Sequence, residues 1–164
     1  MRTVKGFTLI ELMVTVVVLA IVAAIAAPAM GNLIESNRVT TEVNRFLEMF
    51  ELARTEAVQK GTVVRVKKLG DDSWVVGTGD PASCSDAVAI RCFDKPVATN
   101  ISISGFTSGS IRYNSQGQLE GFKITDTAPT FSIKPVKTAV CNTKTSKVIT
   151  LTPIGRIKVT SGSC

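Results

Sequence analysis

Hydrophobic and polar positions follow three successive patterns along the chain. From Leu12 to Ile34 no residue is charged. As a helix rising about 1.5 Å per residue, this run is about 35 Å long, enough to cross a hydrocarbon core of about 30 Å. Pro28, Gly31 and Asn32 interrupt it near its far end. A second pattern then takes over. Val39, Val43, Phe46, Phe50, Ala53 and Ala57 recur at alternating steps of four and three, which is one face of an amphipathic helix. Glu35, Glu42, Arg45, Glu48, Glu51 and Arg54 fall on the other face. Lys60 suits a last turn and Gly61 a C-terminal cap. Together these patterns predict one helix from about Thr8 to Gln59, bent near Pro28.

From Thr62 the period shortens to two. Thr62–Leu69 sets Val64 and Val66 against Arg65 and Lys67, and Ser73–Gly79 carries the single tryptophan, Trp74, as a core residue. Further strands are predicted over Ile101–Phe106, Ser110–Tyr113, Leu119–Thr125, Thr130–Lys134, Lys147–Thr152 and Arg156–Thr160. Gly70-Asp71-Asp72 and Ser115-Gln116-Gly117-Gln118 read as turns. Thr152-Pro153-Ile154-Gly155 suits a type I turn with glycine in a left-handed bulge position. Beyond it, Ile157 and Val159 would face inward, with Arg156 and Lys158 facing out together. One long helix followed by many short strands predicts an α+β domain with an antiparallel, β-rich C-terminal part.

Charge sharpens this division. Residues 7–57 carry three arginines against six glutamates, whereas from Lys123 onward seven Lys/Arg face one acid, Asp126. A basic far end points to an anionic partner. Four cysteines, Cys84, Cys92, Cys141 and Cys164, imply disulfides and an oxidising compartment. Of the three possible pairings, Cys84–Cys92 with Cys141–Cys164 closes two local loops, and the second would tie down the C-terminal residues.

Catalytic chemistry finds little support. The chain has no histidine, so a Ser/His/Asp triad is ruled out. A zinc site would need all four thiolates at unsuitable spacings. No phosphate-cradling lysine loop is present, and Gly77-Thr78-Gly79-Asp80-Pro81-Ala82 meets a dinucleotide pattern only by chance, since Pro81 and the missing βαβ context oppose it. No enzyme activity, cofactor or metal is expected.

The first residues carry the most specific signal. Arg2 and Lys5 precede Gly6-Phe7-Thr8-Leu9-Ile10-Glu11, and the apolar run follows. A carboxylate near the start of such a run costs a few kcal/mol if buried alone, so Glu11 calls for a partner. GFTLIEL followed by an apolar helix resembles the prepilin signature of type IV pilins and type II secretion pseudopilins. That resemblance implies a cut after Gly6 by a prepilin peptidase and N-methylation of Phe7. It also implies an assembly role for Glu11, whose carboxylate would meet the Phe7 amine of a neighbouring subunit. It divides the chain into a leader (1–6), a transmembrane and filament-core helix (7–31) and a periplasmic globular domain (32–164). The cationic residues before the span keep that end in the cytoplasm, leaving the domain on the periplasmic side of the inner membrane.

Leu52-Ala53-Arg54-Thr55-Glu56-Ala57-Val58 resembles the corresponding stretch of the GspH/FimT branch of minor pilins and pseudopilins, with Thr55 in place of serine. Within that branch the pilin-like fold is expected, with Arg54 and Glu56 as surface charges. Gly155-Arg156-Ile157-Lys158 resembles the G-R-x-R motif with which FimT-type pilins bind DNA in natural transformation. Lysine at the last position contacts phosphate without arginine's bidentate fork. The implied DNA-binding residues are Arg156 and Lys158, extended by Lys144 and Lys147, with sequence-independent, salt-sensitive binding to double-stranded DNA. The implied partners are other minor and major pilins, the prepilin peptidase and the inner membrane. The role that the resemblance implies is a minor pilin of a type IV pilus, incorporated at or near the tip and supporting assembly, with a GspH-type minor pseudopilin of a type II secretion system as the alternative.

Overall fold

The structure is a computed structural model that describes residues 6–70, 73–94, 101–104, 110–121, 129–135, 141 and 145–163. Helix α1 spans Leu9–Lys60 and continues through Pro28. Eight strands are described: β1 (Val64–Lys68), β2 (Trp74–Thr78), β3 (Ala89–Phe93), β4 (Ile101–Ser104), β5 (Ser110–Tyr113), β6 (Thr130–Pro135), β7 (Lys147–Leu151) and β8 (Ile157–Ser161). The chain forms two compact units, Met1–Glu35 and Ser36–Cys164.

In the first unit α1 buries nothing along its apolar part. The segment Leu9–Ala26 has a mean hydropathy of 2.8 and meets the length and composition needed to cross a membrane. Phe7 is 83% exposed and Leu19 72% exposed. Such a surface is stable only in lipid or against other apolar helices.

The second unit packs two antiparallel sheets, ordered β3-β2-β1-β5 and β4-β6-β7-β8. Val39, Val43, Phe46, Phe50, Ala53 and Ala57 are all buried, and Met49 joins them. Phe46 meets Trp74 of β2 edge-on, with ring centroids 5.2 Å apart. Phe50 meets Phe131 of β6 at 5.4 Å. The two phenylalanines, one turn apart, thus join one helix face to both sheets. Val64, Val66, Ile111 and Tyr113 complete the core of the first sheet, and Ile133, Ile149 and Leu151 that of the second. Burial, followed by the nearby Glu51 carboxylate, pushes the Tyr113 phenol well above its ordinary range.

Several sequence-based expectations need correction. Glu42 is buried rather than solvated, and Arg45 answers its charge at 3.4 Å. The segment Leu119–Thr125 was expected as a strand; Leu119 makes only a single bridge to Tyr113, and the chain turns at Glu120 and Gly121. Residues 122–125 lie outside the described residues. Strand β3 was not foreseen. Its exposed Arg91 breaks a clean alternation, and a register shift at Val76/Gly77 accommodates it on β2. A disulfide joins Cys84 to Cys92 of β3 across the β2–β3 loop. Cys141 is disulfide-bonded too; Cys164 lies outside the described residues. Val159 lies on the inward face, in register with buried Ile149, but is 39% exposed because β8 is the edge of its sheet.

Candidate functional site

At the N-terminal end, Gly6 and Phe7 form an exposed, non-helical lead into α1. Thr8 caps the helix. Its carbonyl accepts from the Leu12 amide at 3.2 Å and its Oγ1 from the Glu11 amide at 3.3 Å. Glu11 is therefore the third residue of the helix, where a carboxylate complements the free amides and the positive end of the helix dipole. Thr8-Leu9-Ile10-Glu11 is a capping-box sequence, a local signal for the start of the helix. Glu11 is exposed, so its carboxylate is open to a second partner.

The other region is the β7–β8 hairpin. The Gly155 amide donates to the Thr152 carbonyl and the Thr152 amide to the Arg156 carbonyl, each at 2.8 Å. Gly155 has φ 81°. This is the predicted type I turn with a left-handed glycine. The loop after β5 repeats it residue for residue. There the Gly117 amide donates to the Asn114 carbonyl and the Asn114 amide to the Gln118 carbonyl, each at 2.9 Å, with Gly117 at φ 73°.

The two turns pack on each other. The Leu119 amide donates to the Pro153 carbonyl at 2.9 Å. A Cβ on Gly155 would collide with the Gly117 carbonyl oxygen and come within 3.3 Å of Arg54 Nε. A Cβ on Gly117 would meet Arg54 Nε and Val58 Cγ2, each at 3.1 Å. Arg54 Nε donates to the Gly117 carbonyl at 3.2 Å. Arg54 is thus not a free surface charge. It is half-buried and ties the helix to the first turn, which in turn seats the second. Two separate motifs, the LARTEAV helix stretch and the GRIK hairpin, meet in one packing arrangement.

Arg156 and Lys158 are exposed and lie two residues apart, on the sheet face away from the core. Lys147 does not join them. It pairs with Ile133 and Ser161 in register and shares the face of buried Ile149 and Leu151, two and four residues on, so it projects away from Arg156 and Lys158 at the far end of the hairpin. Lys144 lies outside the described residues. In place of Lys147, alternation against buried Phe131 and Ile133 sets Lys134 of β6 on the same face as Lys158.

The charge balance differs between the sheets. On the helix and the first sheet the cations have partners. Arg91 pairs with Glu48 at 2.6 Å, Lys60 with Glu56 at 3.0 Å and Arg112 with Glu120 at 3.2 Å. Lys67 holds Asp80 at 3.0 Å, and this hydrogen bond keeps that carboxyl below its ordinary range. Arg45 also donates to the Asp94 carbonyl. Among the described residues, Lys134, Lys147, Arg156 and Lys158 make no ion pair, and all four belong to β6, β7 or the β7–β8 hairpin. No strand of their sheet contains an acidic residue. Among the described residues no His, Cys, Asp and Glu cluster could hold a metal ion.

An exposed apolar N-terminal helix that continues into a helix packed on antiparallel sheets defines a pilin-like protein. The chain belongs to the family described as "Type II transport protein GspH", whose model matches residues 42–155, and residues 1–27 match the prokaryotic N-terminal methylation motif. Two crystal structures of the Pseudomonas aeruginosa type IV minor pilin FimU share the fold. One has a TM-score of 0.59 and 21% identity over 75% of this chain and 88% of that one. The other has a TM-score of 0.56 and 18% identity over 73% and 90%. No curated protein matches the sequence significantly. The family is one of structural pilins and pseudopilins, which carry a methylated N-terminus and assemble with other pilins.

Proposed function

We propose that the chain is a minor pilin of a type IV pilus. It is cut between Gly6 and Phe7 by prepilin peptidase and methylated on the Phe7 amine. The segment over residues 7–31 then holds it in the inner membrane as a single pass, with residues 32–164 on the periplasmic side. From there it enters the filament at or near the tip and supports assembly. The observation that carries this reading is the N-terminal methylation motif on a helix whose apolar residues Leu9–Ala26 find no cover in the chain itself. Neighbouring subunits supply that cover, and Glu11 answers the amine of one of them. The test is the intact mass and N-terminal sequence of membrane-derived protein, together with immunoblots of sheared surface filaments. A chain starting at N-methyl-Phe7 and present in the filaments is expected. A chain starting at Met1 would overturn the processing step. Absence from sheared pili in a strain that makes them would favour the alternative, a type II secretion pseudopilus, which membership of the GspH family also supports.

A second activity, DNA capture for natural transformation, has its own support. Arg156 and Lys158 stand exposed on a rigid hairpin with no neutralising acid among the described residues. Two cations so placed neutralise about two phosphates, so log K against log salt should carry about −1.8 from this pair. We expect full-length protein in a nonionic detergent to bind duplex DNA with salt-dependent affinity. Arg156→Gln with Lys158→Gln should flatten the slope by about that amount, as read by fluorescence anisotropy. An unchanged slope in the double variant would exclude the hairpin as the contact.

A further inference from the structure

We infer that the DNA-binding surface is not the hairpin alone but the whole outer face of the second sheet, with Lys134 as its far anchor. This inference rests on the DNA reading above and extends it to strand β6. In register, Lys158 of β8 lies beside Thr150 of β7, and Thr150 beside Thr130 of β6. At about 4.8 Å per strand that row is about 10 Å wide. Lys134 stands four residues along β6 from Thr130, about 13 Å further on. Lys134 and Lys158 therefore mark opposite corners of a face, roughly 16 Å apart, with the Thr130 and Thr150 hydroxyls near one edge.

The chemistry of this face selects its partner. Neither corner cation has an ion pair among the described residues, and no acidic residue occurs in the strands between them. Among the described residues, Arg65, Lys67, Arg91 and Arg112 of the first sheet and its loops are engaged by carboxylates, so the lack of neutralisation is local to the second sheet. The outward positions of β6, β7 and β8 hold Ser, Thr, Val and Lys, with no aromatic ring for bases to stack on. Single-stranded nucleic acid is bound largely through such rings. A face with cations at its corners and hydroxyls beside them suits the phosphates of a duplex, which accept from hydroxyls as well as from cations. Its span is comparable with the distance between the two backbones across a major groove about 12 Å wide, and flexible lysine stems take up the difference. The partner is double-stranded DNA, read through its backbone.

Lys147 supplies the control. It is equally free of ion pairs and carries the same charge, but it projects to the other face. Full-length wild type, Lys134→Gln and Lys147→Gln in nonionic detergent are titrated with one DNA duplex between low and moderate salt. Unfolding midpoints confirm that each variant is folded, and Lys134→Arg should retain wild-type affinity. Lys134→Gln is expected to weaken binding and flatten the salt slope by about 0.9, with Lys147→Gln indistinguishable from wild type. Equal weakening by both would mean diffuse attraction by net charge and would overturn the inference. A wild-type slope in Lys134→Gln, with loss in the Arg156/Lys158 double variant, would confine binding to the hairpin and sink this inference alone. Tighter binding to single-stranded DNA, or to vesicles of anionic lipid, would reject the duplex as partner. No binding by wild type at low salt would remove the DNA reading and this inference together.

Discussion

Replacing Gly155 with alanine is expected to destabilise the globular domain by about 3 kcal/mol or more. Two costs add. The residue sits at φ 81°, where an L side chain is strained by about 1–2 kcal/mol. The new methyl would also lie against the Gly117 carbonyl oxygen and 3.1 Å from its carbon. That oxygen cannot retreat freely, because Arg54 Nε holds it at 3.2 Å. Relief requires the two turns to separate, which stretches the 2.9 Å bond from the Leu119 amide to Pro153 and weakens the seating of buried Leu119. A net hydrogen bond is worth about 1 kcal/mol. Thermal unfolding should therefore drop by about 10 °C. Gly79→Ala is the comparison. Gly79 has φ 69°, but its missing Cβ has nothing within 4 Å, so only the strain of about 1 kcal/mol remains. Equal losses at the two glycines would mean that the turn-on-turn contact adds nothing.

The same contact explains why two motifs far apart in sequence accompany one another here. Arg54 looked like a surface charge because periodicity reports only which side of a helix faces the core. It says nothing of a carbonyl brought to that side by a distant loop. Gly155 was legible as a turn residue because Thr-Pro-x-Gly has strong local chemistry. Its second role, leaving room for Gly117, depends on tertiary approach and has no local signal.

Other parts of the molecule sort along the same line. The membrane-length helix and its packing face were legible, since uninterrupted apolarity and a 3.6-residue period are direct consequences of burial. Glu42 was misplaced because a carboxylate is assigned to solvent unless its partner is seen, and Arg45 one turn on could have suggested it. Strand β3 escaped because its hold depends on β2 and on the Cys84–Cys92 bond more than on its own alternation. Lys147 shows a different failure. Its side is implicit in the strand pattern that puts Ile149 and Leu151 inward, whereas charge alone groups it with Arg156 and Lys158. Lys134 passes the same alternation test although it lies outside the motif. A shared face, not nearness in sequence, determines which cations can meet one duplex.

Phe50→Ala should give the largest loss in the core, about 4 kcal/mol, from lost transfer energy and the cavity left behind. The ring is fully buried and touches both Phe46, at 6.1 Å between centroids, and Phe131, at 5.4 Å. Phe131 belongs to the second sheet, and Phe46 leads on to Trp74 of the first. Phe50 does not itself stack on Trp74, which makes the single tryptophan a remote reporter. If the helix face joins the two sheets into one cooperative unit, the Trp74 fluorescence transition of Phe50→Ala will shift by the full amount and stay coincident with the far-UV signal. If the sheets unfold independently, removing Phe50 will melt the second sheet early and leave the Trp74 transition near its wild-type midpoint. Cooperative loss is the expected outcome, because the rings of Phe46 and Phe50 lie one turn apart on a single rigid helix, and neither sheet has another buried aromatic pair to hold it to α1 among the described residues.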